Sequence, residues 1–267
     1  MNNQLSRVFE RCAKESRAAL VGYLTAGDPS IATSEQLICT LAEQVDIIEI
    51  GMPFSDPAAD GPVIQAASER ALQAGTKIED VFLIAQKVRQ LKPEIGIVLM
   101  GYANVPYTMG FETFAKQARD SGVDGVLLVD IPAEESGICA KVFKTHDLSQ
   151  IMLLAPTSTE QRIALGASIA QGFIYYVSLA GTTGAEMGEV KNIQDKLSLI
   201  RQYTKLPICV GFGVKTPAQA ESIATFADGV VVGSHFVSQI TSNIRDDDAM
   251  LSSLTSSASA MVDAMKR

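Results

Sequence analysis

Eight short, almost uninterrupted apolar runs punctuate this chain, and they constrain its fold more than any other feature. They fall at about 19–25, 45–50, 95–100, 125–129, 150–154, 173–177, 207–211 and 229–232. Runs such as IGIVLM, GVLLV, IMLLA and GVVV suit strands of a parallel sheet covered on both faces, because a half-exposed strand alternates apolar and polar residues. The segments between them change to a helical period. Ser30 precedes IATSEQLICTLAEQ, in which Ile31, Ile38, Leu41 and Ala42 share a face. Thr76-x-x-Glu79 reads as a capping box ahead of VFLIAQKVRQL. Thr216-Pro217 supplies a capping residue and then Pro at the first helical position. An extra helix opens the chain, with Leu5, Val8, Phe9 and Cys12 at i, i+3, i+4 and i+7, and a tail helix follows the acidic start Asp246-Asp247-Asp248. Eight βα repeats predict a single-domain (β/α)8 TIM barrel over residues 1–267 with an added N-terminal helix. A doubly wound open sheet is the alternative that periodicity leaves standing.

Composition removes several function classes. Hydrophobic residues make up 47% of the chain, enough for a large core, and the net charge is −8. No Lys/Arg-rich tract exists, which argues against nucleic acid and against an anionic membrane surface as partners. A phosphate ligand would have to be held locally. The four cysteines, Cys12, Cys39, Cys139 and Cys209, are scattered without a C-x-x-C pair, as expected of buried thiols. With two histidines and no clustered cysteines, no metal site is expected. The polar N-terminus lacks the apolar core of a secretory signal, and no apolar run approaches the ~20 residues of a membrane span. A soluble cytoplasmic protein is the expectation.

In a barrel of this kind the reactive groups gather at the C-terminal ends of the strands. Glu49 lies near the end of the apolar run VDIIEI, where desolvation would raise its pKa and fit it to move protons near neutral pH. Asp60 follows in a loop fixed by three prolines and two glycines, and two carboxylates at one mouth can divide labour if their environments differ. Three glycine-bearing loops follow the last three strands: Gly181-Thr182-Thr183-Gly184, Gly211-Phe212-Gly213 and Gly233-Ser234. Bare backbone N–H groups there could hold a phosphate without Lys or Arg, with Ser234 opening a short helix. Of the adjacent Tyr175 and Tyr176, alternation sends one inward. Asp130 is either functional or a helix cap. His146 reads as a surface residue near a helix C-terminus, and His235 belongs to no recognisable triad. No Lys ends a strand, so a Schiff-base aldolase lacks a nucleophile.

These residues resemble a known family. Tyr23-Leu24-Thr25-Ala26-Gly27-Asp28-Pro29, the run Glu49-x-Gly51-x-Pro53-Phe54-Ser55-Asp56-Pro57-x-Ala59-Asp60-Gly61-Pro62-x-Ile64-Gln65, Gly181-x-Thr183-Gly184 and Gly211-Phe212-Gly213 are similar to the tryptophan synthase α chain. The resemblance runs from the leading helix to the last strand. It implies a (β/α)8 barrel that cleaves indole-3-glycerol phosphate to indole and glyceraldehyde 3-phosphate by a retro-aldol reaction, with no metal or cofactor in this chain. It implies Glu49 as general acid–base, Asp60 as partner of the indole N–H, and Tyr175 beside the reacting centre. Phosphate would sit on backbone N–H groups around Gly184, Gly213, Gly233 and Ser234. Tyr23, Ile64, Met100, Leu127, Thr183 and Phe212 would line the indole pocket. The family also implies a pyridoxal phosphate-dependent β chain as partner in an α2β2 complex, with the loop of Pro53, Asp56 and Asp60 and the loop at 178–189 as the relay between sites. Leu179, where enterobacterial relatives carry Arg, and Gly22, in place of a Pro, depart from the pattern and bear on loop closure. A catalytically dead regulator of the β chain and a sugar-phosphate isomerase barrel are the competing readings. Intact Glu49 and Asp60 speak against the first and the long motif against the second.

Overall fold

All eight apolar runs become strands: β1 Ala19–Thr25, β2 Ile47–Gly51, β3 Gly96–Gly101, β4 Gly125–Leu128, β5 Ser149–Leu154, β6 Ile174–Val177, β7 Ile208–Gly211 and β8 Gly229–Val232. The computed structural model describes residues 3–177, 187–211 and 213–266. Each strand pairs in parallel with the next, and β8 pairs with β1, so the sheet is a closed barrel and the open-sheet alternative falls. Twelve helices are described: α1 Gln4–Lys14, α2 Ile31–Gln44, α3 Pro62–Gln73, α4 Ile78–Leu91, α5 Asn104–Met109, α6 Phe111–Asp120, α7 Gly137–Thr145, α8 Glu160–Ile169, α9 Met187–Ile200, α10 Pro217–Ala224, α11 Ser234–Ser242 and α12 Asp247–Met265.

Local chemistry sets the helix starts. Ser30 accepts from the Thr33 N–H, Thr216 from the Gln219 N–H, and Asp246 from the Ala249 N–H. The expected cap at Thr76 is one residue off. Helix α4 starts after Lys77, whose N–H is bonded by Asp80 Oδ2 at 2.8 Å. Thr76 is instead buried against Gly27, with no hydrogen-bond partner for its hydroxyl among the described residues.

Alternation divides each strand between two cores. Val21, Ile47, Val98, Leu127, Ile151, Tyr175, Cys209 and Val231 fill the barrel interior. Leu20, Ile48, Leu99, Val126 and Val230 face the helix layer, as do Met152, Ile174, Tyr176 and Val210. Of the tyrosine pair, Tyr175 therefore points inward and Tyr176 outward.

The N-terminal end of the barrel is sealed. Helix α1 buries Leu5, Val8, Phe9 and Cys12 there. Leu5 fills space left by Gly96, Gly125 and Gly172, where an added Cβ would come within 2.8, 3.2 and 2.8 Å of its methyl groups. Three aspartates brace the same end in a repeated way. Asp46, Asp124 and Asp228 each sit one residue before an even-numbered strand and accept the N–H of Leu20, Ile97 and Ile208 on the preceding strand. Arg17, Arg89 and Arg201 respectively pair with them. Asp46 and Asp124 are buried and Asp228 half-exposed; carboxylates held by both an arginine and a backbone N–H are satisfied, so this end carries stability.

Leu5→Ala should empty the plug without touching the opposite mouth. A loss of about 2–5 kcal/mol is expected in equilibrium denaturation, with activity per folded molecule retained; a wild-type midpoint would contradict the sealing role.

Candidate active site

Glu49 stands in the middle of β2, in register with Tyr23 on β1 and Val98 on β3, and points into the barrel. It is 1% exposed, and neither carboxylate oxygen has a hydrogen-bond partner among the described residues. A buried carboxyl without a donor strongly favours its neutral form. Burial, and then the negative charge of Asp60, push its pKa up from 4.5 to about 8.

Asp60 reaches the same mouth from the loop between β2 and α3. Its N–H donates to Pro57 O at 3.0 Å, and Gln65 Nε2 donates to its carbonyl at 2.8 Å, so the loop is tied to the first turn of α3. Its carboxylate accepts from Tyr102 Oη at 2.9 Å, and the same hydroxyl accepts from the Ala59 N–H at 2.9 Å. The Tyr102 ring stacks on Phe54, with centroids 5.0 Å apart. Burial raises the Asp60 carboxyl and the Tyr102 hydrogen bond draws it part of the way back. The two acids thus differ: one is fully buried with no hydrogen-bond partner among the described residues, the other half-buried and hydrogen-bonded.

Two tyrosines close the mouth. Tyr175 is buried with its hydroxyl over Gly211, where an added Cβ would come within 2.6 Å of the oxygen. Tyr23 lies over Gly51 in the same manner, at 2.2 Å, and shares a 3.1 Å hydrogen bond with Thr25. Both phenols are raised in pKa, first by burial and then by a carboxylate's negative charge, that of Glu49 for Tyr175 and of Asp60 for Tyr23. Tyr23 also packs against Gly233, 3.4 Å from a Cβ placed there. Gly233 is the N-cap of α11, and Ser234 is its first residue. The start of that helix therefore opens at the same mouth. Gly213 adopts φ +89°, a left-handed conformation that favours glycine.

The other expected pocket residues sort as follows. Leu127 is buried in the interior and Met100 is half-buried beside it. Ile64 is half-buried on the first turn of α3. Gly184, Thr183 and Phe212, together with Leu179, lie outside the described residues. Pro53 is half-buried and Asp56 exposed on the loop that carries Asp60, with Ser55 Oγ donating to the Asp56 carboxylate. Gly22 faces α2, where a Cβ would meet Leu41 and Val45 at 3.0 Å, away from the mouth. Asp130 is not a helix cap: α7 begins at Gly137, and Asp130 instead accepts from the Ala103 N–H at 2.9 Å, holding the β3 loop to the β4 loop. His146 caps the end of α7 and bonds Glu112, and His235 bonds Ser257 on α12.

Reading the sequence for this mouth missed Tyr102, Val129, Leu153 and Val177. The last three are half-buried on the interior face at the strand ends, level with the mouth. Their inward alternation was available in the apolar runs. Tyr102 had a weaker mark, a polar aromatic one residue past β3.

Comparison with known proteins decides what this mouth belongs to. A family model described as tryptophan synthase alpha chain matches residues 9–266. The chain belongs to the tryptophan synthase α chain family. It is 46% identical to the tryptophan synthase alpha chain of Zymomonas mobilis, over 99% of this chain and 98% of that one. It is 47% identical to that of Thiobacillus denitrificans, over 89% and 88%. A crystal structure of the Legionella pneumophila alpha chain superposes with a TM-score of 0.89 at 35% identity, covering 98% of this chain and 97% of that one. A structure of Mycobacterium tuberculosis tryptophan synthase superposes with a TM-score of 0.90 at 32% identity, covering 99% of each. The chain is accordingly a carbon–carbon lyase of tryptophan biosynthesis, cleaving indole-3-glycerol phosphate to indole and glyceraldehyde 3-phosphate, and its family implies a β chain as partner.

The buried Glu49 has a stability consequence. A carboxyl raised from 4.5 to about 8 in the fold leaves stability intact below pH 4.5 and erodes it as pH climbs toward 8. Glu49→Gln cannot ionise, so its melting temperature relative to wild type should rise steadily between pH 5 and pH 8. An offset that does not change with pH would show that Glu49 titrates normally.

Proposed function

We propose that Glu49 and Asp60 divide the retro-aldol cleavage between them, and the observation that carries this is the buried Glu49 carboxyl, without a hydrogen-bond partner among the described residues, facing the mouth beside a hydrogen-bonded Asp60. Glu49 starts protonated, as its raised pKa allows, and gives its proton to indole C3. The ring becomes an indolenine carrying positive charge at nitrogen. Asp60, whose carboxylate form the Tyr102 hydroxyl favours against the effect of burial, accepts the N–H and stabilises that charge where it develops. The Glu49 carboxylate then takes the proton of the glycerol hydroxyl next to the ring. The C3–C bond breaks, its electrons restore the indole, the aldehyde forms, and Glu49 ends protonated again. Tyr175 packs beside the reacting carbon, while Tyr23, Ile64, Met100, Leu127, Thr183 and Phe212 enclose the ring. Backbone N–H groups at Gly184, Gly213, Gly233 and Ser234 hold the phosphate. The start of α11 and the left-handed Gly213 support that placement.

The reading extends to the assembly. Glu49 and Asp60 supply both the proton and the counter-charge, so this chain needs no cofactor for the cleavage, and pyridoxal phosphate belongs to the β chain. The loop of Pro53 and Asp56 continues directly into Asp60, which supports a relay from the mouth to the partner in an α2β2 complex. Residues 1–267 form one barrel domain in this reading, supported by the pairing of β1 with β8 and the packing of α12 on α2. No described helix is long and apolar enough to cross a membrane, which supports a cytoplasmic setting.

Indole release by the chain together with its β chain tests the assignment. Glu49→Gln should lose at least ~10²-fold in kcat, and Asp60→Asn about 10²–10³-fold. In the wild type, kcat/KM should fall as pH rises through about 8, where Glu49 loses the proton it must donate. A profile flat from pH 6 to 9 would remove Glu49 as the acid.

A further inference from the structure

One ion pair outside the pocket joins the three elements that build it. Asp28 sits in the loop after β1 and is 1% exposed. Arg70, on α3, grips it at two points, Nε to Oδ1 at 2.7 Å and Nη2 to Oδ2 at 2.8 Å. Arg70 Nη2 also donates to Thr241 Oγ1 on α11 at 3.2 Å. Helix α3 begins directly after the Asp60 loop, and α11 begins at Gly233–Ser234, so a single guanidinium spans the helix behind the carboxylate and the helix assigned to the phosphate. Helix α11 packs on both α3 and β1.

The loop at the centre of this tie has no slack. Gly27 has φ +87°, and a Cβ there would lie 1.9 Å from Thr76 Oγ1, just past the end of α3. The Gly27 N–H is bonded by Ser34 Oγ at 2.8 Å. Tyr23, on the strand that feeds this loop, is itself wedged between Gly51 and Gly233. A shift of α3 relative to the β1 loop must therefore break the Arg70 fork, and one relative to α11 must break its bond to Thr241.

We infer that the Asp28–Arg70 pair, with Thr241, is a positioning device for the cleavage: it fixes the spacing of α3 and α11 at which a substrate anchored by its phosphate presents the indole to Asp60 and Glu49. This rests on the proposed roles of Asp60 and of the Gly233–Ser234 helix start. Binding energy from the remote phosphate is useful to the reacting end only through a rigid connection, and a misplacement of about 1 Å can cost ~10²-fold in rate. The fork also requires Arg, because lysine keeps the charge and loses the two-point grip.

The test uses the chain with its β chain and the variants Arg70→Lys, Asp28→Asn and their combination, with rates per folded molecule. Expected is a fall in kcat of about 10–100-fold, with inhibition by inorganic phosphate within about twofold of wild type and the pH limb near 8 unmoved. Because the two residues act as one unit, the double variant should be no worse than the poorer single one. Wild-type kcat in folded Arg70→Lys overturns the proposal. So does a weakening of phosphate inhibition in step with kcat, which would make the pair a support of α11 alone. Should these variants fail to fold, Thr241→Val decides: it removes the third contact together with the hydroxyl's own bond to the Val237 carbonyl within α11, and an unchanged kcat at unchanged melting temperature overturns the tie. Asp60→Asn is run alongside. Full activity there would show that the site assignment itself had failed, whereas its loss combined with an active Arg70→Lys would defeat the tie alone.

Discussion

A carboxyl group with no hydrogen-bond partner among the described residues, inside a closed barrel, is the constraint on which the rest of this structure turns. Solvent would supply Glu49 with donors at once, so its state depends on the burial that leaves it 1% exposed. Strand closure, the two tyrosines and the apolar strand ends provide that burial. The cost of ionising Glu49 in this setting raises its pKa to about 8, which suits the acid role proposed for it. Asp60 lies within electrostatic reach but is half-exposed and bonded to Tyr102, so burial raises its carboxyl against the pull of a hydrogen bond that Glu49 lacks among the described residues. On the proposed assignment, two groups of similar chemistry acquire different tasks from their surroundings alone.

The opposite end of the barrel follows the reverse rule. Asp46, Asp124 and Asp228 each receive a backbone N–H and an arginine, and Leu5 fills the space of three glycines. Polar groups are satisfied and voids are filled where no chemistry happens. At the mouth, Glu49 is left unsatisfied among the described residues. Stability is concentrated at one end of the strands so that strain can be carried at the other, a division that the barrel architecture makes available.

The parts of the fold most legible in sequence were those with a strict local cause. All eight apolar runs became strands because continuous burial demands continuous hydrophobicity, and Ser30, Thr216 and Asp246 cap helices because a side-chain oxygen at that position has few other uses. Legibility failed where the deciding partner was distant in sequence. Thr76 has the spacing of a cap but is pinned by Gly27, so Lys77 and Asp80 take over. Asp130 resembles a cap and serves a loop 27 residues earlier. Tyr102 joins the site through Asp60 and Phe54, two residues on another loop, which no period in the sequence reveals. Glu49 was visible because a charge in an apolar run is a local anomaly; the reason that it has no donor is a property of the whole barrel.

The same desolvation explains why an acidic chain suits a phosphorylated substrate. The charge that acts on Glu49 is the negative one of Asp60, and it adds to burial in holding the proton. A lysine or arginine placed at the mouth to grip phosphate would act in the opposite sense, favouring the carboxylate and drawing the pKa back toward 4.5. Backbone N–H groups at a helix start carry only partial charges and fall off within a turn. On the proposed assignment, Gly213, Gly233 and Ser234 hold the phosphate with dipoles rather than a full cation, and the anchor does not discharge the acid. The glycines at these strand ends then serve both needs: Gly51 and Gly211 leave room for the hydroxyls of Tyr23 and Tyr175, and Gly213 and Gly233 present bare backbone. A side chain at any of the four would either displace a wall of the pocket or cover a phosphate donor.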